Sequence, residues 1–102
     1  MSLEELESKV GEWAEGKGLI FEGNELPQGE KFYEEAGELF DEIHAGNRDA
    51  VIMEGGDVLV TLVVQARLQG TTLTEMLESA YNKISKRKGK NVNGVFVKEE
   101  DL

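Results

Sequence analysis

An all-α domain of four helices with a short extended carboxy-terminal tail is what the sequence predicts, and three observations carry that reading. Apolar residues recur at helical spacing through four successive segments, two Ser/Thr-to-Glu pairs mark helix starts, and glycines punctuate the first three segments. Ser2 with Glu5 forms a capping box. Leu3, Leu6, Val10, Trp13 and Ala14 then follow the helical period until Gly16-Lys17-Gly18 stops it. Residues 19–29 contain the only proline, Pro27, and read as a loop into a second helix from about Gln28 to Ala45, which Gly46-Asn47 ends. A third helix is expected from Asp49 to about Gln69, with Gly70 as its stop. Thr72 with Glu75 is a second capping box, opening a fourth helix that reaches about Arg87. From Asn91 to Lys98, Val92, Val95, Phe96 and Val97 surround an Asn93-Gly94 pair, the pattern of a short hairpin or extended arm. The expected organisation is a helical domain over residues 1–90 and a tail over residues 91–102.

Composition narrows the function. With 102 residues the chain is one small domain, whose modest core leaves apolar surface exposed, so at least a dimer is expected. Its 21 acidic residues against 11 basic ones leave a net charge of -10, and that field repels nucleic acid and anionic membranes alike. No cysteine is present, and one histidine cannot build a multi-His centre, so oxygen ligands remain. The acidic start Met1–Glu5 lacks the basic and apolar segments of a signal peptide. The most apolar stretch, Ala50 to Ala66, carries Glu54 and Asp57 and is not a membrane span. The expectation is a cytoplasmic protein.

Charge placement points to a site. On the second helix, Phe32, Ala36, Leu39, Phe40 and Ile43 share one face, with Lys31, Glu35, Glu38 and Glu42 along its flank and Glu34 and Asp41 turned to water. A solvated acidic face accounts for Glu35 and Glu38 taken alone. The third helix is apolar almost all round and therefore expected to be buried, yet Glu54, Asp57, Thr61 and Gln65 form a stripe roughly 80° wide. Ionised carboxylates inside a protein need a cation, a proton or a wet cleft, and neither Lys nor Arg lies in the stripe. Antiparallel pairing of the two helices across Gly46-Asn47-Arg48 lets Glu35, Glu38, Glu54 and Asp57 converge on a divalent metal. Hard oxygen donors favour Mg²⁺ or Mn²⁺. Five cations between Lys83 and Lys90 complement the dipole of the fourth helix, where Met76, Leu77, Ala80, Tyr81 and Ile84 form the core stripe and Lys83 and Arg87 share a neighbouring face. An acidic metal site with a cationic helix end suits phosphoryl chemistry. Gly11 to Lys17 imitates a phosphate-binding loop, but it lies on a helix, and Gly18 stands where the metal-binding hydroxyl belongs. His44 reads as a dipole partner and Trp13 as core.

Gln28, Lys31, Glu34-Glu35, Glu38-Leu39, then Glu54 and Asp57, then Lys83 and Arg87 together resemble the MazG-like, all-α nucleoside triphosphate pyrophosphohydrolases over roughly Val10 to Lys90. The resemblance implies a four-helix MazG-like bundle, completed by oligomerisation to a homodimer or homotetramer, that hydrolyses nucleoside triphosphates to the monophosphate and pyrophosphate. It implies Glu35, Glu38, Glu54 and Asp57 as Mg²⁺ ligands, with Glu35 or Glu38 orienting the attacking water. Lys31, Lys83 and Arg87 would contact phosphates, and Gln28, Asn82 and Trp13 the sugar or base. Gly55 departs from the family, where a larger residue is usual; with Gly56 it weakens the helix by about 1 kcal/mol per glycine and allows close helix approach. A non-hydrolysing nucleotide sensor and an acidic interaction protein that mimics nucleic acid are the competing readings.

Overall fold

The computed structural model describes residues 1–102, in four helices, a two-stranded hairpin and a final 3₁₀ turn over Glu99–Asp101. Helix α1 spans Leu3–Gly16, and the Ser2 hydroxyl accepts the Glu5 N–H at 3.1 Å, as the capping box predicts. Helix α2 spans Glu25–Ala45 and so starts three residues before Gln28. Pro27 sits in its first turn, where a missing N–H costs nothing because those amides have no intrahelical acceptor. Buried Asn24 does not cap α2 with its side chain; its amide donates to the Leu19 carbonyl at 2.7 Å and closes the preceding loop on itself. Gly46, at φ +72, ends α2 in the left-handed conformation that glycine adopts without strain. Helix α3 runs Arg48–Leu68, with Asn47 Oδ1 accepting the Ala50 N–H at 3.2 Å.

Helix α4 spans Leu73–Ile84, opened by the Thr72 hydroxyl, which accepts the Glu75 N–H at 3.0 Å. It ends three residues short of Arg87, because Lys86 and Arg87 donate to the Lys83 and Ile84 carbonyls and tighten the chain before it leaves the helix. Lys83 and Arg87 therefore do not share a helix face. Strands β1 (Gly89–Val92) and β2 (Val95–Lys98) pair antiparallel from Gly89↔Lys98 to Val92↔Val95. Both turn residues, Asn93 and Gly94, have positive φ, as a two-residue type I′ hairpin turn demands.

Helices α2 and α3 form the main packed pair, antiparallel across Gly46-Asn47, and α1 lies across the second half of α3. The apolar core is small: Ala14, Val63, Val64 and Ala66. Burial along all of α3, expected from its all-round apolarity, is confined to that second half, while Ile52, Met53 and Leu59 remain exposed beyond the reach of α1. Arg67 ties the two helices together. Its guanidinium donates to Glu15 at 2.7 Å and crosses α1 at Gly11, where a Cβ would collide with it. The Gly11 of the imitation phosphate loop is thus a packing residue. An added Cβ at Gly55 or Gly56 meets open space, so the close helix approach expected there does not occur within one chain.

Helix α4 buries none of its residues; Leu77, Tyr81 and Ile84 of the expected core stripe are exposed, because only its first turns rest on α1 and α3. A polar tie holds it. The Glu7 carboxylate of α1 accepts the Thr74 hydroxyl at 2.7 Å, the Thr74 N–H at 3.2 Å and the Leu73 N–H, placing a negative charge on the positive end of the α4 dipole. No helix is long and apolar enough to cross a membrane. Glu7→Ala is expected to lower unfolding free energy by about 1–2 kcal/mol in urea titrations. Glu12→Ala, on the exposed side of α1, should leave the midpoint within experimental scatter.

Candidate functional site

The antiparallel α2–α3 pair brings Glu35 and Glu38, one turn apart on α2, against Glu54 on α3. One carboxylate oxygen from each lies within 4.8 Å of the other two. Glu35 is the only buried residue of α2. Its Oε1 meets Lys31 Nζ at 3.2 Å, and the same ammonium lies 3.7 Å from Glu34 on the solvent side. The cation missing from the α3 stripe thus comes from the preceding turn of α2. One lysine does not neutralise the group: Glu35 Oε2 and Glu54 Oε2 are both buried without a hydrogen-bond partner. The crowding shows in the proton affinities. Glu38 is held above its usual carboxylate range, first by its hydrogen bond with Glu35, then by the Glu35 charge, with desolvation and the charges of Glu54 and Glu34 adding to it. Lys31 is raised by the hydrogen bond to Glu35 and by the charges of Glu34, Glu35 and Glu38.

Beside this group opens a cavity of about 460 Å³. Gln28, Lys31 and Glu35 of α2, Asp57 and Thr61 of α3 and Trp13 of α1 line it, with apolar wall from Leu19, Pro27, Val60 and Val64. Asp57 is one turn along α3 from Glu54, an axial step of about 4.5 Å, and stands on the cavity wall outside the three-carboxylate group. Trp13 is 50% exposed on that wall and is not core, because the face of α1 that packs on α3 is the small-residue face of Gly11 and Ala14. Two members of the α3 stripe have structural duties: the Thr61 hydroxyl donates to the Val58 carbonyl at 2.6 Å, and the Gln65 amide donates to the Glu25 carbonyl at 2.8 Å, pinning the start of α2.

Lys31 is the one basic candidate on this cavity, and the remaining candidates, Asn82, Lys83 and Arg87, lie elsewhere in the chain. Asn82 borders a separate groove between α1 and α4, Lys83 is exposed in the last turn of α4, and Arg87 sits with Lys86, Lys88 and Lys98 at the base of the hairpin. Asn24, whose amide fixes the loop that carries Leu19 to the cavity, left no helical or motif signal in the sequence. Pro27 was read as a loop breaker, and only the fold shows it as cavity wall.

The chain matches the family model of the MazG nucleotide pyrophosphohydrolase domain over residues 29–92. It belongs to that family. Comparison with curated proteins and with solved structures gives no match. The MazG match contains all four candidate carboxylates together with Lys31, Asn82, Lys83 and Arg87, whereas Trp13 and Gln28 precede it. The donor set fits a divalent metal: three converging carboxylates are hard oxygen ligands, and two of their buried oxygens have no other partner.

In the metal-free protein the raised Glu38 proton affinity stabilises the fold below the ordinary carboxylate range, and this contribution is lost as pH rises through the raised value. Glu38→Gln is therefore expected to raise the melting temperature of the metal-free protein at neutral pH and to flatten that pH dependence. Wild-type protein should gain melting temperature on adding Mn²⁺ or Mg²⁺, increasingly so as pH rises and the proton leaves Glu38, and Glu38→Gln should lose most of this gain. Equal gains in both proteins, followed by differential scanning fluorimetry from pH 5 to 8, would remove Glu38 from the candidate metal ligands.

Proposed function

We propose that this MazG domain hydrolyses ribo- or deoxynucleoside triphosphates to the monophosphate and pyrophosphate. The observation that supports it is the pair of partnerless buried oxygens, Glu35 Oε2 and Glu54 Oε2, in a three-carboxylate group whose Glu35 lines a nucleotide-sized cavity. Glu35, Glu38 and Glu54 would hold Mg²⁺, with Mn²⁺ as a substitute and Asp57 as the fourth carboxylate on the cavity side. A bound divalent cation supplies Lewis acidity toward a phosphate oxygen and lowers the pKa of a coordinated water.

The chain's own residues supply the rest. Glu35 and Glu38, the two carboxylates within hydrogen-bond reach of each other, orient the attacking water and accept its proton, and the raised proton affinity of Glu38 suits it to that role. Lys31, anchored by Glu35 and open to the cavity, offsets phosphate charge. Trp13 offers an exposed ring face for the base and Gln28 a hydrogen-bonding amide for the base or sugar. Lys83, Arg87 and Asn82 lie off this cavity, so contact of Lys83 and Arg87 with the leaving pyrophosphate, and of Asn82 with the sugar or base, requires a second copy of the chain. The exposed Tyr33, Phe40, Ile43, Ile52 and Met53 of α2 and α3 support such a homodimer or homotetramer.

Product analysis after incubation with a panel of nucleoside triphosphates is expected to show pyrophosphate and monophosphate with Mg²⁺ and nothing with chelator. Release of inorganic phosphate would mean that another bond is cut, and no turnover on any substrate would favour a nucleotide sensor or an acidic interaction protein. Glu54→Gln should cut turnover by at least roughly 100-fold, since even the outer partners of metal ligands are worth 10–100-fold. Its helical circular dichroism should stay unchanged.

A further inference from the structure

The hairpin β1–β2 is an arm without a surface to rest on. Its strands pair with each other and with the closing 3₁₀ turn but form no substantial contact with any helix. A lone two-stranded hairpin is at best marginally stable in water. Yet this one is well specified: Phe96 lies over Gly89, where a Cβ would also strike the Val97 carbonyl, and Asn91 Oδ1 takes the Gly94 N–H at 2.6 Å in the turn. Val92 and Val95 are exposed on one face of it together with Lys90, Val95 at 65%, while Phe96 and Lys98 lie on the other. Charge is equally uneven: six of the eleven cationic residues fall between Lys83 and Lys98, a stretch with no Asp or Glu in a chain of net charge -10.

In the same chain, α1 and α4 enclose an apolar groove of about 500 Å³, floored by Leu3, Leu73, Leu77 and Tyr81 and edged by Glu4 and Glu78. Leu77 and Tyr81 are 62% and 65% exposed, so nothing in the chain covers it. The arm and the groove are complementary in three respects. Val92 and Val95 meet an apolar floor, Lys90 on the same face meets a carboxylate rim, and a four-residue strand of about 13 Å matches the α4 rise from Leu73 to Asn82, also about 13 Å.

We infer that the hairpin of one chain docks into the α1–α4 groove of a second copy, in a reciprocal two-fold exchange. A two-fold exchange closes, because each copy offers one arm and one groove, so no arm is left to propagate a filament. The contact is separate from the acidic site and stands whether or not that site turns over nucleotide.

The absence of cysteine makes the test direct. One full-length chain carrying Val95→Cys is mixed with another carrying Leu77→Cys under mild oxidation, and mixed disulfide dimers are counted by mass spectrometry. The expected result is a yield at least 10-fold above that of Val95→Cys mixed with Glu12→Cys, a control on the outer face of α1. Adding Glu4→Lys and Glu78→Lys to the groove chain should abolish the excess, and pairing that chain with an arm chain bearing Lys90→Glu, on the Val95 face, should restore part of it. A yield no higher than the control overturns the inference. So does an intrachain disulfide that forms at high dilution in the double Leu77→Cys, Val95→Cys chain, which would place the arm in its own groove. Unaltered cross-linking after charge reversal would show that Lys90 and the carboxylates do not meet, and overturns the docking as stated.

Discussion

Three carboxylates from two helices are brought together by the α2–α3 pairing, and their mutual repulsion governs what the surrounding residues do. Lys31 is drawn onto Glu35 from the preceding turn, Glu38 holds its proton more tightly than an ordinary glutamate, and two buried oxygens remain without a donor. Each is a partial answer to the same electrostatic cost. The fold leaves that cost uncompensated at a cavity wall, the place where a cation and a polyphosphate would offset it.

The scaffold that holds this group is thin. Four buried apolar residues form the core, and the helices are joined as much by single polar ties as by packing. Arg67 crosses α1 at Gly11 to reach Glu15, Gln65 holds the start of α2, and Glu7 fixes the first turn of α4. Such ties are directional, so they set where helices cross with little buried area. They also leave one side of α3 and most of α4 bare, which accounts for an apolar surface far larger than a single small chain needs.

Local chemistry was largely legible. The Ser2 and Thr72 caps, the Gly46 stop and the Asn93-Gly94 turn depend on a few neighbouring residues, and the structure has them as the sequence reads. Readings that depended on helix length or on what covers a face were less secure. The fourth helix closes at Ile84 because i to i−3 hydrogen bonds compete with the helix there, and Pro27 falls inside α2 because its first turn tolerates proline. Trp13 was apolar and in phase with the helix, but phase cannot reveal which neighbour lies opposite, and the cavity is what lies opposite.

For the site, residue type and spacing by themselves determined that carboxylates would line facing sides of two consecutive helices, and the MazG family match spans the same segments. Helical periodicity is a local property, and a carboxylate on an apolar helix carries its energetic penalty into any fold. Only the tertiary structure decided that Glu35, Glu38 and Glu54 converge while Asp57 stands apart on the cavity wall, that Lys31 is the partner of Glu35, and that Lys83 and Arg87 do not line that cavity. Those outcomes turn on crossing angles and on where a helix stops. Both are set by contacts between residues far apart in sequence, which no local pattern encodes.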